Sequence, residues 1–332
     1  MANPTQSDLH VNTPLTNISI AYMQDSSNFI ADRVFPKVSV NKQSDLYWKY
    51  SKSDWRRTDV QRRAPSTESP GVGWKVTTDQ YFAHVYAVHK DIDDQLRANA
   101  DSVFSLDRDA SLFVTNQLLL RRDIDWCNVY FKAGVWGTTM TGVVSAPVAG
   151  QFTQWDQSGS DPILDITQAG VAFREQTGYS PNTLTLGAYV LQVLRNHPDI
   201  LDRIKYTQRG VVTEDLLATL FGVDKILVAY ASLATGPEIN DAVAQDAAAT
   251  YKYIADGKSA LLSYAPSAPS LMTPSAGYTF NWTGYFAGNA QGLRIKTFRM
   301  EPIASDRVEG ELTYDMRLVG KDMGVFWSGC IA

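Results

Sequence analysis

One stretch limits the folds open to this chain more than any other. From Asp107 to Phe131 there is no proline and no glycine, and good helix formers predominate. At about 1.5 Å rise per residue, roughly 25 residues of helix make a rod of about 37 Å, roughly twice the length of a usual globular helix. Leu120, Ile124, Cys127 and Phe131 recur at four-three-four spacing, which predicts one apolar helical face. Asp107 is the expected N-cap, Asp109 places a carboxylate in the first turn where the helix dipole favours it, and Gly134 lies just past the end. A rod of this length can act as a strut across a domain.

Upstream of the rod the pattern is that of strands. Leu46 to Tyr50 opens an aromatic run, and Lys75 to His89 returns with β-branched and aromatic residues over more than a usual strand length. Residues 51–73 between them are polar and end in turn formers, far beyond the roughly 2–5 residues of an ordinary hairpin loop. The pair reads as a long two-stranded ribbon with an irregular tip. The tip carries Lys52, Arg56, Arg57, Arg62 and Arg63, with a lone Trp55 beside two of the arginines. An exposed Trp flanked by Arg is a frequent interface anchor, so Trp55, Arg56, Arg57, Arg62 and Arg63 are the candidate subunit-contact residues. The competing readings are that the arginines keep an exposed loop soluble, or that they meet nucleic acid. An isolated ribbon is marginal in water, and the simplest cover for its aromatics is another copy of the chain.

Residues 1–42 hold short apolar pieces, Ile18 to Met23 and then Phe29 to Phe35, too sparse for a core of their own, and read as an arm that packs on something else. Ala31 to Pro36 closes a short helix, because Pro36 biases Phe35 out of helical geometry. Downstream of the rod, Asp161 and Pro162 start a helix that Gly178 ends. A strand from Thr183, helices from Ala188, Pro198 and Glu214, and a strand from Lys225 to Tyr230 follow in the alternation of an α/β module. Strands from Ala260, Tyr278, Arg294 and Glu311 and an extended piece from Met323 complete the order, so the whole is α+β.

With 332 residues, 44% hydrophobic and 20% charged, the chain has room for two modules with real cores. A net charge of -5 argues against a general nucleic-acid binder. No stretch resembles a signal peptide or a membrane span, so a soluble protein that stays where it is made is expected. The four histidines show no metal spacing, and Cys127, an expected buried thiol, and Cys330 form neither a zinc site nor a disulfide framework. Gly257, Lys258 and Ser259 mimic a phosphate loop, but the glycine required upstream is Lys252. There is no GxSxG elbow, and Asp91, Asp93 and Asp94 read as a solvated acidic cluster. No catalytic residue, cofactor or metal is expected, and the chain does not read as an enzyme.

The succession of elements, with the stretches AYMQDSSNFIADRVFPKVSV, YFAHVYAVHKDIDDQLRANAD, DASLFVTNQLLLRRD and LTLGAYVLQVLRNHPDILDRIKYTQRGVVTEDLLATLFGVDKILV, resembles the major capsid proteins of tailed bacteriophages, the Hong Kong 97 fold. The resemblance covers nearly the whole chain. It implies an N-terminal arm at 1–42, an extended loop at 43–90, a peripheral domain at 91–185 with the spine helix at 107–131, an axial domain at 186–289, and a return to the peripheral domain at 290–332. It further implies self-assembly into hexamers and pentamers of an icosahedral head around double-stranded DNA. The partners would be other copies of the chain, a portal, a separate scaffold protein, a decoration protein and non-specifically the packaged DNA, with assembly in the host bacterial cytoplasm. Two other readings remain: a cargo-enclosing compartment shell of the same fold, and a soluble α/β enzyme whose basic loop at 51–73 is a mobile lid.

Overall fold

The computed structural model describes residues 24–100, 105–205, 212–236, 238–239, 242–270, 272–286 and 292–332, so the apolar run from Ile18 to Met23 lies outside the described residues. The first elements are α1 (Ala31–Val34), β1 (Lys37–Val40), β2 (Ser44–Tyr50), α2 (Lys52–Arg56), β3 (Val76–Phe82), β4 (His84–Asp93), α3 (Asp94–Asn99) and the long helix α4 (Leu106–Tyr130). Then come β5 (Thr138–Val143), β6 (Gln151–Thr153), α5 (Pro162–Thr177), β7 (Thr183–Gly187), α6 (Ala188–Asn196), α7 (Pro198–Ile204), α8 (Glu214–Phe221) and β8 (Lys225–Ala229). The remainder is β9 (Ser232–Thr235), α9 (Ala242–Ala248), β10 (Thr250–Tyr253), β11 (Ala260–Ser263), β12 (Gly277–Trp282), β13 (Leu293–Met300), β14 (Ser305–Leu318) and β15 (Gly324–Ser328).

The rod is present, but two of its expected details change. Ser105 occupies the N-cap, and Asp107 sits inside the first turn, where Arg97 grips both carboxylate oxygens at 2.8 Å. The buried line is Ala110, Val114, Leu118, Arg122, Trp126 and Tyr130, whereas Leu120, Ile124 and Cys127 of the expected face are only partly covered. A strict four-residue spacing advances about 40° around the helix at each step. The line therefore winds, and two different surfaces cover it in turn. The N-terminal half lies on β14, close enough that a Cβ on Gly310 would stand 2.3 Å from a Val114 methyl. The C-terminal half enters an aromatic cluster in which Tyr130 meets Phe35 at 4.6 Å and Trp126 stacks near Phe131 at 5.8 Å.

The described part of the arm, from Gln24 onward, packs on the body of the chain. Ile30, Ala31, Val34 and Phe35 are buried in the main core. The buried Asp123 of α4 accepts the backbone N–H groups of Ile30 at 3.2 Å and Ala31 at 2.9 Å, capping α1 from a helix far along the chain. β1 then pairs in parallel with β12.

Two sheets carry the body. In the first, β14 is the shared strand: β4 pairs with Ser305 to Tyr314, β13 with Ser305 to Leu312, and β12 with Asp315 to Leu318. Its period of two separates the faces. Val308, Gly310 and Leu312 turn towards α4, while Arg307, Glu309 and Glu311 form a ladder of ion pairs with Asp91, Lys296 and Arg294 on the other face. The second sheet runs β6-β5-β15-β11-β7-β8 and is flanked by α5, α6 and α8, the α/β module expected from the alternation. Its core is Leu184, Leu186, Leu261, Leu262 and Phe326, all essentially buried.

Candidate assembly surface

The ribbon leaves the first sheet at Ala83, a fully buried residue whose N–H donates to Gln43 O at 2.8 Å. This break divides the expected single run from Lys75 to His89 into β3 and β4. β2 and β3 pair antiparallel from Ser44 opposite Phe82 to Tyr50 opposite Val76. Alternation gives the ribbon two unlike faces. On one, Tyr47 and Tyr81 pack against Phe280 at 5.4 and 4.6 Å, and Asp79 accepts from Lys49 Nζ at 2.7 Å. That hydrogen bond from Lys49 holds the Asp79 carboxyl below the ordinary carboxylate range, and burial pushes the Tyr47 hydroxyl well up. On the other face Leu46, Trp48 and Tyr50 stand in solvent, Trp48 with 70% of its surface exposed.

The tip extends this bare face. Trp55, 55% exposed, sits between Tyr50 at 6.2 Å and Trp74 at 6.1 Å, and Trp74 is itself 63% exposed. The candidate arginines separate into three kinds. Arg56 reaches the body, donating to the backbone carbonyls of Glu175 at 2.7 Å and of Gln176 at the end of α5, where unpaired carbonyls and the negative dipole end receive a cation. Arg57 pairs with Asp59 at 2.8 Å and Arg63 donates to the Thr67 carbonyl, both within the loop. Arg62 is exposed and has no partner among the described residues. Glu68 brings the loop to five cations against three carboxylates, less basic than its arginines alone indicate.

Several contributors to this surface were not singled out from the sequence. Lys52 pairs with Asp322 at 2.5 Å, a residue 270 positions away that no local pattern could nominate. Trp74 follows the turn formers at the loop's end, and its alternation with Val76 was the available signal.

The residues weighed for chemistry have structural employment. His197 is buried, with Nε2 at 3.1 Å from Ser160 Oγ, and its Nδ1 accepts the Asp199 N–H that starts α7. Asp91 pairs with Arg307, Asp93 caps α3, and Asp94 pairs with Arg299 at 2.5 Å. Gly257 lies in a turn against Tyr189, and Lys258 donates to the Ala332 carbonyl, so this trio is a packed corner rather than a phosphate cradle. Cys127 is half-buried rather than fully buried, and burial pushes its thiol well up; both cysteines are free. Among the described residues no cluster of His, Cys, Asp and Glu could hold a metal, and no helix is long and apolar enough to cross a membrane.

No protein-family model matches the sequence. Over 320 residues the chain is 26% identical to the major capsid protein of Burkholderia phage BcepMu, covering 96% of each. The chain is a homologue of phage major capsid proteins. A second such relative, the major capsid protein of Pseudomonas phage JBD67, is 26% identical over 228 residues, 67% of this chain and 69% of that one. Among solved structures, a phage-related protein from Bordetella bronchiseptica RB50 superposes with a TM-score of 0.66 at 20% identity, over 92% of this chain and 94% of the other. The capsid of cyanophage P-SCSP1u gives a TM-score of 0.58 at 10% identity, over 97% and 93%. At these identities the structural likeness shows the fold: this capsid homologue shares its mixed helix and strand architecture with phage capsid structures.

Proposed function

We propose that the chain is a major capsid protein, copies of which form the icosahedral shell of a phage head around double-stranded DNA. One observation carries the reading: a ribbon whose apolar outer face its own body leaves bare, on a chain homologous over nearly its full length to phage capsid proteins. A surface of this kind is stable in water only when a neighbour covers it. On this reading Trp55, Arg56, Arg57, Arg62 and Arg63 lie at a contact between subunits, and residues 43–90 are the extended loop of the Hong Kong 97 arrangement. The first sheet with α4 is the peripheral unit, and the second sheet is the axial one. This division follows strand pairing, and it moves Thr138–Val143, Gln151–Thr153 and Gly324–Ser328 from the expected peripheral segments to the axial unit, and Gly277–Trp282 from the expected axial segment to the peripheral one. Hexamers and pentamers, a portal, a separate scaffold protein, a decoration protein, weak contact with packaged DNA and assembly in the host cytoplasm complete the proposal. The enzyme reading is set aside because the relatives are capsid proteins.

Electron microscopy of the purified chain tests this, with closed shells expected. Deleting Ser53 to Ser69 is expected to leave a folded body, measured by circular dichroism, that sediments as small species. Normal shells from the deletion variant would remove the ribbon from the assembly contact, and a wild-type chain that never passes the monomer would refute the capsid reading itself.

A further inference from the structure

The hydrogen bonds and ion pairs that tie the ribbon tip to its own body come from two cations. Lys52 Nζ meets Asp322, and Arg56 meets the carbonyls of Glu175 and Gln176, with all of these side chains in solvent. Exposed pairs of this kind open at little cost, because water and salt replace each partner. Residues 57–73 make their hydrogen bonds and ion pairs only with one another among the described residues, so no further tether holds the tip. The contact covers none of the aromatic surface beside it: Trp48, Trp55 and Trp74 stay open while Lys52 and Arg56 are engaged. The tie thus satisfies the tip's charge and leaves its apolar area unused.

Every copy of the chain carries the same two cations and the same acceptors. Exchange of the tip between copies therefore keeps each polar contact and adds the burial of aromatic area against the neighbour, the low-cost route by which identical elements swap between protomers. We propose that Asp322 and the carbonyls of Glu175 and Gln176 form a receptor for the ribbon tip of a second copy of this chain, and that the contact within one chain is the closed form of the same contact. The receptor joins the turn before β15 to the C-terminal end of α5, so an incoming tip bridges the second sheet and a helix that flanks it. This inference rests on the capsid reading and specifies which surface of the neighbour the ribbon takes.

The Lys52 and Asp322 pair provides its own probe. A water-soluble carbodiimide activates the Asp322 carboxylate and the Lys52 amine displaces the activated group, leaving an amide only where the two touch. Equal amounts of ordinary and heavy-nitrogen-labelled chains are mixed, one portion crosslinked before assembly and one after, and the joined peptides read by mass spectrometry. Before assembly all joined peptides are expected to carry one label. In particles about half should carry both, the statistical share for random exchange between copies. Particles whose joined peptides carry a single label, or that lack the Lys52–Asp322 amide, would overturn the receptor while leaving the capsid reading intact. Failure to form particles at all would instead strike the capsid reading and take the receptor with it. A second arm needs no crosslink: Lys52→Glu chains and Asp322→Lys chains are each expected to assemble poorly alone, and their mixture to exceed the yield of either, because each supplies what the other's partner lost. A mixture no better than its components refutes exchange, as does a Lys52→Glu/Asp322→Lys double variant that fails to assemble while remaining folded.

Discussion

Asp123 is the place where a change of pH should be felt by the fold. Its carboxyl lies buried under the arm, facing the N–H groups of Ile30 and Ala31, with Asp32, Arg122 and Lys37 as the neighbouring charges. Burial pushes its pKa up to about 6 from the ordinary 3.8, against the two backbone hydrogen bonds that favour the ion. The folded chain therefore holds this proton more tightly than the unfolded chain does. Well below pH 3.8 both states are protonated and the group contributes no difference; as pH rises through the window from about 3.8 to 6 the unfolded state ionises first, and stability falls. The difference between the two pKa values, at 1.36 kcal/mol per pH unit, amounts to about 3 kcal/mol lost by pH 7. Asp123→Asn keeps the shape and removes the titration. Urea unfolding of the unassembled chain followed by Trp fluorescence, at pH 4.5 and 7.5, is expected to show wild type losing about 2 kcal/mol relative to the Asn variant over that interval, about 1 kcal/mol having gone already by pH 4.5. All other titrating groups cancel in the comparison. Parallel pH profiles for the two proteins would refute the reasoning, and so would a wild type that gains on the variant as pH rises.

Other outcomes follow from the packing. Gly310→Ala pushes a methyl into Val114 and should cost about 1–3 kcal/mol in urea unfolding, with Val114→Ala recovering part of it in the double variant. Asp161→Ala removes the side-chain acceptor for the Leu164 N–H at the start of α5 and should cost about 1 kcal/mol in the same measurement. Replacing Trp48 and Trp74 by Ser should leave unfolding free energy within about 0.5 kcal/mol of wild type, because both stand in solvent, yet abolish particles in sedimentation.

What could be read from the sequence was local. Asp161 and Pro162 start α5 and Gly178 ends it at φ 79, as a capping carboxylate, a proline at the first position and a left-handed glycine require. Thr213 and Gly222 bracket α8 in the same way. The ribbon's bare aromatics were legible because alternation in a strand and an overlong polar loop both survive without tertiary context. The buried line of α4 was not, since two apolar spacings coexist along that helix and only the sheet and the arm decide which is covered. Nor could the arm's place in the core be found: its cap comes from Asp123, more than ninety residues on. The tie from Lys52 to Asp322 was hidden for the same reason, and so was the membership of Thr138–Val143 in the second sheet, where it lies between nearby β6 and distant β15.

The parallel pairing of Lys37–Val40 with Thr279–Trp282 has a consequence for the time at which the molecule comes into being. The early strand has no partner until about 240 further residues have left the ribosome, which takes roughly 12–50 s at bacterial rates of synthesis. β4 waits almost as long, because its ladder among the described residues is with β14. Until those late strands emerge, the ribbon hangs from a segment that has no sheet to belong to, and its aromatic face cannot be offered in a fixed direction. On the capsid reading, molecules whose synthesis is complete are therefore the ones expected to join a growing wall.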